Sequence, residues 1–322
     1  MSFFNRDKIK EKIRYWIQVI SGTSQYEERI NTLYFFLNNY CDILSFPEAT
    51  GSLRMIQKGD ALLLQIVDII CVKHKIEYWI DAGTCLGAVR HHGFIPWDDD
   101  IDINMIRIDY ERARHILKEE LKEYGISVEE SKDEPIAHVG IGYKHRETGL
   151  WIDLFPFEYT TIDPKNKRNI EGFKRKNTQY QRQWRKKRNK YDRKKMFKYR
   201  KKFIPEICEK KEAKSIINCP EWCPKPMIFE VKNIFPLNYM MFEGFKVPVP
   251  NDAHKYLEIF YGNNYMNFPQ SGVMHHGDGR GHLSTWAQKS GTDMNQIIQE
   301  LEDVLNMVKC EMPGLKYGIG RV

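Results

Sequence analysis

The sequence predicts an α/β protein in which helices flank a sheet of short strands. Three observations predict it. Apolar residues recur at helical spacing in several windows, as in Leu62, Leu63, Ile66, Ile69 and Ile70. Between such windows lie short runs with strand-like alternation, most clearly Asp100 to Met105, where acids and apolar residues take turns. A hydrophobic fraction of 42% with 29% charged residues is globular, which excludes a disordered or membrane-embedded chain. The length of 322 residues allows about two domains and a core large enough to need no disulfide staples.

Residues 1–50 read as helical. Ile13, Trp16, Ile17 and Ile20 form one apolar face, and Ile30, Leu33, Tyr34 and Leu37 another, both expected to pack on the body. Residues 59–75 form a second amphipathic helix. Ile76 to Asp81 reads as a short strand, Ala82 to Arg90 as a Gly-rich turn leading into a helix, and Phe94 to Trp97 as a turn. A strand from Asp100 to Met105 and a helix from Tyr110 to Glu123 follow. Ala137 to Tyr143 and Leu150 to Phe155 read as a hairpin turning through His145 to Gly149. Phe229 to Val249 holds short extended pieces punctuated by Pro236 and Pro248, with Pro250 just beyond. Ala253 to Phe260 and Met294 to Val308 are helical, the latter with Ile297, Ile298, Leu301, Val304, Leu305 and Val308 on one face. The chain thus divides into an N-terminal helical extension (1–58), a core (59–160), a basic helical insertion (161–226) and a closing part of the body (227–322).

The insertion dominates the electrostatics. From Lys174 to Lys202 there are sixteen Lys and Arg against one acid, Asp192, so this segment carries +15 within a net charge of +7, and the rest carries −8. Tyr180, Trp184, Tyr191, Phe197, Tyr199 and Phe203 interleave with the charges, and the absence of Pro and Gly between Phe173 and Ile204 predicts a long helix or helix pair. Three roles fit such a segment: a solvated helical face, a surface for anionic lipid or a lipid-carried glycan, or a nucleic-acid arm. The longest apolar stretch, Ala61 to Val72, is broken by Gln65 and Asp68 and falls short of the about 20 residues of a membrane span. The opening MSFFNRDKIKEKIRYW lacks the apolar core of a signal peptide. The expected location is cytoplasmic, with peripheral contact with the inner membrane face through 174–202. Seven scattered cysteines suit reduced thiols. Cys208, Cys219 and Cys223 could ligate zinc, but no fourth ligand is evident, and ordinary buried thiols fit better.

The chemistry concentrates in Asp81-Ala-Gly83-Thr84-Cys-Leu-Gly87-Ala-Val-Arg90-His-His-Gly-Phe-Ile-Pro96-Trp97-Asp98-Asp99-Asp100-Ile101-Asp102. On a strand Asp98, Asp100 and Asp102 share one face, while Ile101 and Ile103 turn to the core. Carboxylates two apart on one face repel unless a cation lies between them, and hard divalent cations prefer such oxygen ligands. Gly83, Thr84 and Gly87 lie where a backbone could approach a phosphate at a helix N-terminus. Asp153 is a lone acid in an apolar strand, costly to bury unless paired or metal-bound; an ion pair with Arg90 or Lys144 is its structural alternative. His275-His276-Gly-Asp278-Gly-Arg280-Gly-His282 forms a Gly-rich polar loop in which His276 and Arg280 could contact a nucleotide or metal, and a plain surface loop fits equally. Trp79, Trp97, Trp151 and Tyr143 could box a quaternary ammonium group, though ordinary packing is the simpler role.

The stretch GTCLGAVRHHGFIPWDDDIDI resembles the signature of the LicD family, which includes the fukutin-type transferases and belongs to the nucleotidyltransferase-fold superfamily. WIDLFPF at 151–157 and FEGFKVPVP…YLEIFYGNNYMNFP at 242–269 continue the resemblance, which covers about 60–270 but not 1–55, the 160–205 insertion or the chain after 285. Cys85 stands where an aliphatic residue is expected. The resemblance implies a nucleotidyltransferase-type mixed sheet flanked by helices. It implies Asp100, Asp102 and Asp153 as ligands of Mg²⁺ (or Mn²⁺), with Asp98 beside them, Gly83 and Thr84 as a phosphate-contacting turn, and Arg90 against a phosphate. The implied reaction moves a phosphorylated alcohol from a CDP-activated donor to a sugar hydroxyl of a cell-surface glycan such as lipopolysaccharide, teichoic acid or capsule. Phosphocholine from CDP-choline leads; ribitol phosphate, glycerol phosphate or another alcohol is the alternative. Asp153 and Asp98 are the candidates for the base that takes the acceptor proton, though an acid engaged by metal is a poor base. A nucleic-acid-directed nucleotidyltransferase is the alternative of another class, and no nucleic-acid partner is expected.

Overall fold

The computed structural model describes residues 23–130, 139–143, 150–187, 192–223, 226–269 and 293–311, together with 289 and 291. The chain forms two compact units, one of residues 1–47 and 266–273 and the other of 48–265 and 274–322. In the smaller, α1 (Thr23–Tyr40) is helical as expected; on the face expected to pack, Ile30 is 52% exposed and Leu33 59%, while Tyr34 and Leu37 are half-buried. The face Ile13, Trp16, Ile17 and Ile20 lies outside the described residues.

The larger unit is a mixed α/β body. Helix α2 (Gly51–Lys73) begins eight residues earlier than the periodicity of 59–75 suggests and buries most of its length. After it come β1 (Trp79–Ile80), α3 (Ala82–His91), β2 (Ile101–Ile106), α4 (Arg107–Glu120), β3 (Ile126–Glu130), β4 (Val139–Tyr143) and β5 (Trp151–Thr160). These strands lie in the order β1-β2-β5-β4-β3, with β2 and β5 parallel and the other neighbours antiparallel. The expected hairpin is therefore β4–β5. Strand β5 outruns its predicted end at Phe155: residues 152–157 pair with β2, and 158–160 pair with β6 (Ser215–Ile217), which pairs with β7 (Ile228–Glu230). The remaining elements are α7 (Val231–Ile234), the hairpin β8 (Asn238–Phe242) and β9 (Phe245–Val249), α8 (Ala253–Tyr261) and α9 (Met294–Cys310).

One apolar cluster joins the inner faces of α2, α4 and α9 to the sheet through residues such as Leu63, Ile66, Ile103, Tyr110, Leu154 and Leu301. Close approach is built into the contact of α2 with the start of β5. A Cβ at Gly59 would sit 2.6 Å from Leu150 Cδ2 and 3.3 Å from Ile298 Cδ1, so any side chain there would have to displace Leu150 from its packing.

The basic insertion is a helix pair, α5 (Lys167–Lys187) and α6 (Arg193–Phe203), with its own small core of Phe173, Tyr180, Trp184, Met196, Ile204 and Ile217. Tyr180 and Trp184, read in the sequence as interleaving with the charges, point inward, and the outer surface is left to Lys and Arg. The pair is tied to the sheet by buried charges. Arg107 Nε donates to Glu158 Oε1 at 2.7 Å, Arg200 pairs with the same carboxylate, and Tyr180 Oη donates to Glu221 Oε1 at 2.8 Å. The Phe197 ring lies under the guanidiniums of Arg200, Arg107 and Arg193 at 4.9, 5.5 and 5.7 Å. Among the described residues, no helix is long and apolar enough to cross a membrane.

Candidate active site

The site forms where β1, α3, β2 and β5 meet. Asp81 ends β1 and caps α3, its Oδ1 accepting from Ala82 N–H at 2.7 Å. Such a cap satisfies an orphan donor of the first turn. The Gly-rich segment is therefore already helical from Ala82, where the sequence suggests a turn first. Its residues make specific contacts within the protein. Thr84 is buried and its hydroxyl accepts from the Asp102 N–H at 2.9 Å, fixing the strand that carries the acids. A Cβ at Gly87 would lie 2.4 Å from the Gly93 carbonyl oxygen, so this glycine allows the close approach of helix and loop. A Cβ at Gly83 would lie 2.8 Å from Asp98 Oδ2, so Gly83 makes room for that carboxylate.

The acids gather here. Asp98, Asp99 and Asp100 each offer an oxygen within 4.8 Å of the others, and they form the one such His/Cys/Asp/Glu group among the described residues. Asp102 on β2 lies directly across from Asp153 on β5, and in-register residues of neighbouring strands point to the same face. Trp151 Nε1 donates to Asp153 Oδ1 at 2.5 Å, with the indole laid over Gly140 and Gly142 of β4. Burial, then the charges of Asp100 and its neighbours, raise the Asp98 and Asp102 carboxyls well above the ordinary carboxylate value. Stripping water from like charges disfavours the ionised form, and a divalent cation would reverse that balance.

Arg90 sits at the edge of this acidic group. Its buried guanidinium donates to the Tyr265 carbonyl oxygen at 3.2 Å and lies 6.0 Å from the Trp97 ring centre. Burial lowers it to about 10, against the opposing charges of Tyr261 and Asp98.

Asp98, Asp100, Asp102, Asp153, Arg90, Gly83 and Thr84 thus come together, whereas His276 and Arg280 lie outside the described residues. Trp79 and Tyr143 are buried in packing, Trp79 edge-on to Phe157 at 5.2 Å, so the four aromatics do not form an open box. Among the described residues the cysteines form no metal-ligating group: the Cys219 thiol donates to Glu221 Oε2 at 3.3 Å, and Cys223 Sγ accepts from Asn218. The sequence reading missed Asp60, Gln57 and Asp81 as parts of the site. Asp60 is an acid inside an apolar helix, the same signal that singled out Asp153. Gln57 Nε2 donates to the Asp98 carbonyl oxygen at 2.9 Å. The Asp81 carboxylate also accepts from the Tyr256 hydroxyl.

The mixed sheet, with one parallel strand pair presenting in-register acids beside an acid-capped helix, is matched by a family model for a nucleotidyltransferase domain. The chain belongs to the LicD family: the family model described as LicD/FKTN/FKRP, nucleotidyltransferase domain, matches residues 75–252. The lipopolysaccharide cholinephosphotransferase LicD of Haemophilus influenzae is 30% identical over 125 residues, covering 34% of this chain and 47% of that protein. Ribitol 5-phosphate transferase FKRP of Homo sapiens is 29% identical over 86 residues, covering 26% of this chain and 17% of the relative. Ribitol-5-phosphate transferase FKTN of Mus musculus is 31% identical over 75 residues, covering 23% and 15%. The matches thus span less than half the length of these curated relatives.

Proposed function

We propose that this protein transfers a phosphorylated small alcohol, phosphocholine foremost, from a CDP-activated donor to a sugar hydroxyl of a cell-surface glycan, with CMP as leaving group and Mg²⁺ (or Mn²⁺) as cofactor. The observation that carries the reading is the in-register pairing of Asp102 with Asp153 beside Asp98 and Asp100. An all-oxygen, acid-rich donor set whose members repel one another fits a hard divalent cation. Asp100, Asp102 and Asp153 would hold it, with Asp98 beside them. Once bound, the ion would neutralise the diphosphate and stabilise the departing oxygen of CMP.

The chain's own residues supply the rest. Phosphoryl transfer depends on positioning and charge neutralisation more than on covalent help. Arg90, held under Trp97 and short of a carboxylate partner among the described residues, offsets charge building on the transferring group. Thr84 and Asp81 hold β2 and α3 so that the carboxylates keep their spacing. Relatives named as a cholinephosphotransferase and as ribitol 5-phosphate transferases support transfer of a phosphorylated alcohol, and their difference leaves the alcohol to experiment. Contact with an anionic membrane through 174–202 belongs to the same reading. With Tyr180 and Trp184 turned inward, that contact rests on charge, from residues such as Arg175, Arg182, Lys198 and Lys202, rather than on inserted aromatics. The inward aromatics also weigh against stacking on single-stranded nucleic acid.

The test is a screen of the purified protein against CDP-choline, CDP-ribitol, CDP-glycerol and CDP-ethanolamine, following CMP. Release that requires Mg²⁺ and is lost in Asp100→Asn and Asp102→Asn supports the reading. Incorporation from a nucleoside triphosphate with salt-sensitive nucleic-acid binding would replace it with the nucleic-acid-directed alternative.

A further inference from the structure

Helix α2 precedes the stretch matched by the family model, yet one of its faces touches both segments that bear the acids. Arg54, Gln57 and Asp60 recur at three-residue spacing, which keeps them on one side of the helix. Arg54 Nη1 donates to Gln57 Oε1 at 3.2 Å, and Gln57 Nε2 donates to the main-chain oxygen of Asp98. Asp60 Oδ1 accepts from the Trp151 N–H at 2.8 Å, at the first residue of β5 and two before Asp153. The Trp151 indole then donates to Asp153 itself. Asp60 is fully buried, at 0% exposure, and its Oδ2 has no hydrogen-bond partner among the described residues. A buried carboxylate oxygen left unpaired is costly. Burial holds its carboxyl well above the ordinary carboxylate value, the Trp151 N–H opposes this, and the charges of Asp100, Asp99 and Asp153 add to it.

We propose that Asp60 is a positioning residue of this cluster: one oxygen fixes the strand that carries Asp153, and the other accepts a hydrogen bond from a water bound to the cation. The inference rests on the function proposed above. Mg²⁺ gives up its waters reluctantly and keeps several of them in protein sites, and outer-shell acceptors commonly change metal affinity by about 10–100-fold. The unpaired Oδ2 is the acceptor such a water requires. A purely structural acid needs only its bond to Trp151.

The experiment compares Mn²⁺ affinity, by electron paramagnetic resonance of free Mn²⁺, in the wild type, Asp60→Asn and Asp153→Asn. Unfolding is followed on the same samples. The Asn amide keeps an oxygen for the Trp151 N–H and puts a donor in place of Oδ2. The expected result is a folded Asp60→Asn protein, at least as stable as wild type without metal, whose Mn²⁺ affinity falls by about 10-fold or more. Asp60→Ser, with a smaller acceptor for the same N–H, gives the same reading if Asp60→Asn does not fold. Unchanged Mn²⁺ affinity in a folded Asp60 variant, with wild-type binding lost in Asp153→Asn, overturns this inference and leaves the proposed function standing. A wild type that does not bind Mn²⁺ overturns both.

Discussion

Withdrawing the divalent cation should make the stability of this protein fall as pH rises through the neutral range. Burial and mutual repulsion raise Asp60, Asp98 and Asp102 well above the carboxylate value of 3.8. The folded state therefore holds protons that the unfolded chain has released. The contribution of each acid is fully present below the unfolded value and is lost as pH rises through the raised folded one. Asp81 and Asp109 are raised as well and act in the same sense, while the remaining shifted groups titrate outside this window. Glu111 and Glu120 are lowered from 4.5 and titrate beneath it, and the buried thiols, Cys223 at about 12 among them, are raised from 9.0 and act above it. One proton of difference is worth about 1.4 kcal/mol per pH unit, so each acid that keeps its proton weakens the fold at up to that rate as pH rises. Against the about 5–15 kcal/mol of an ordinary domain such a slope is readily measured. Urea unfolding at pH 5.5, 6.5 and 7.5, in EDTA and in saturating Mg²⁺, reads the effect. EDTA should give falling stability with pH. Mg²⁺ should flatten the slope and add about 2.7 kcal/mol at 100 times its Kd. Stability that rises with pH in EDTA, or one slope in both conditions, refutes the reasoning.

Three further outcomes are expected. Asp102→Asn removes one like charge from the cluster, so it should melt no lower than wild type without metal, while CMP release from the preferred donor drops by about 100-fold or more; a variant that keeps its rate takes Asp102 out of the mechanism. Gly140→Ala would put a Cβ 1.5 Å from Trp151 Cζ2. The indole must move, costing about 1–3 kcal/mol in urea unfolding and releasing Asp153, so tryptophan fluorescence and Mn²⁺ binding should change together. Glu221→Gln leaves Arg107 and Arg200 short of a buried counter-charge and should cost about 3–5 kcal/mol; a loss below about 1 kcal/mol would mean that the insertion is not held by this network.

The local part of this fold was legible because it rests on periodicity. The alternation of Asp100 to Met105 and the helical repeats of 59–75 and 294–308 mark elements that exist, with ends displaced by a few residues. The α3 start was misread because Asp81 caps the helix directly, and a capped helix rich in glycine looks like a turn in sequence. The exposed Ile30 and Leu33 carry the same repeat as a buried face, since periodicity records an amphipathic helix but not what covers it. Tyr180 and Trp184 read only as aromatics interleaved with lysines and arginines, because α5 is so basic that its narrow apolar stripe is outnumbered.

The sequence by itself determined the family, the α/β class and the run of acids leading into β2, of which Asp102 lies within the strand and Asp98 and Asp100 precede it. The sequence also named Asp153, but only the tertiary structure decided how distant groups join them. Asp153 meets Asp102 because β5 lies parallel to β2 in one register, and Asp60 reaches the same place because glycine at 59 lets α2 settle on the end of β5. Such meetings depend on contacts between residues far apart in the chain, and no local pattern encodes the partner.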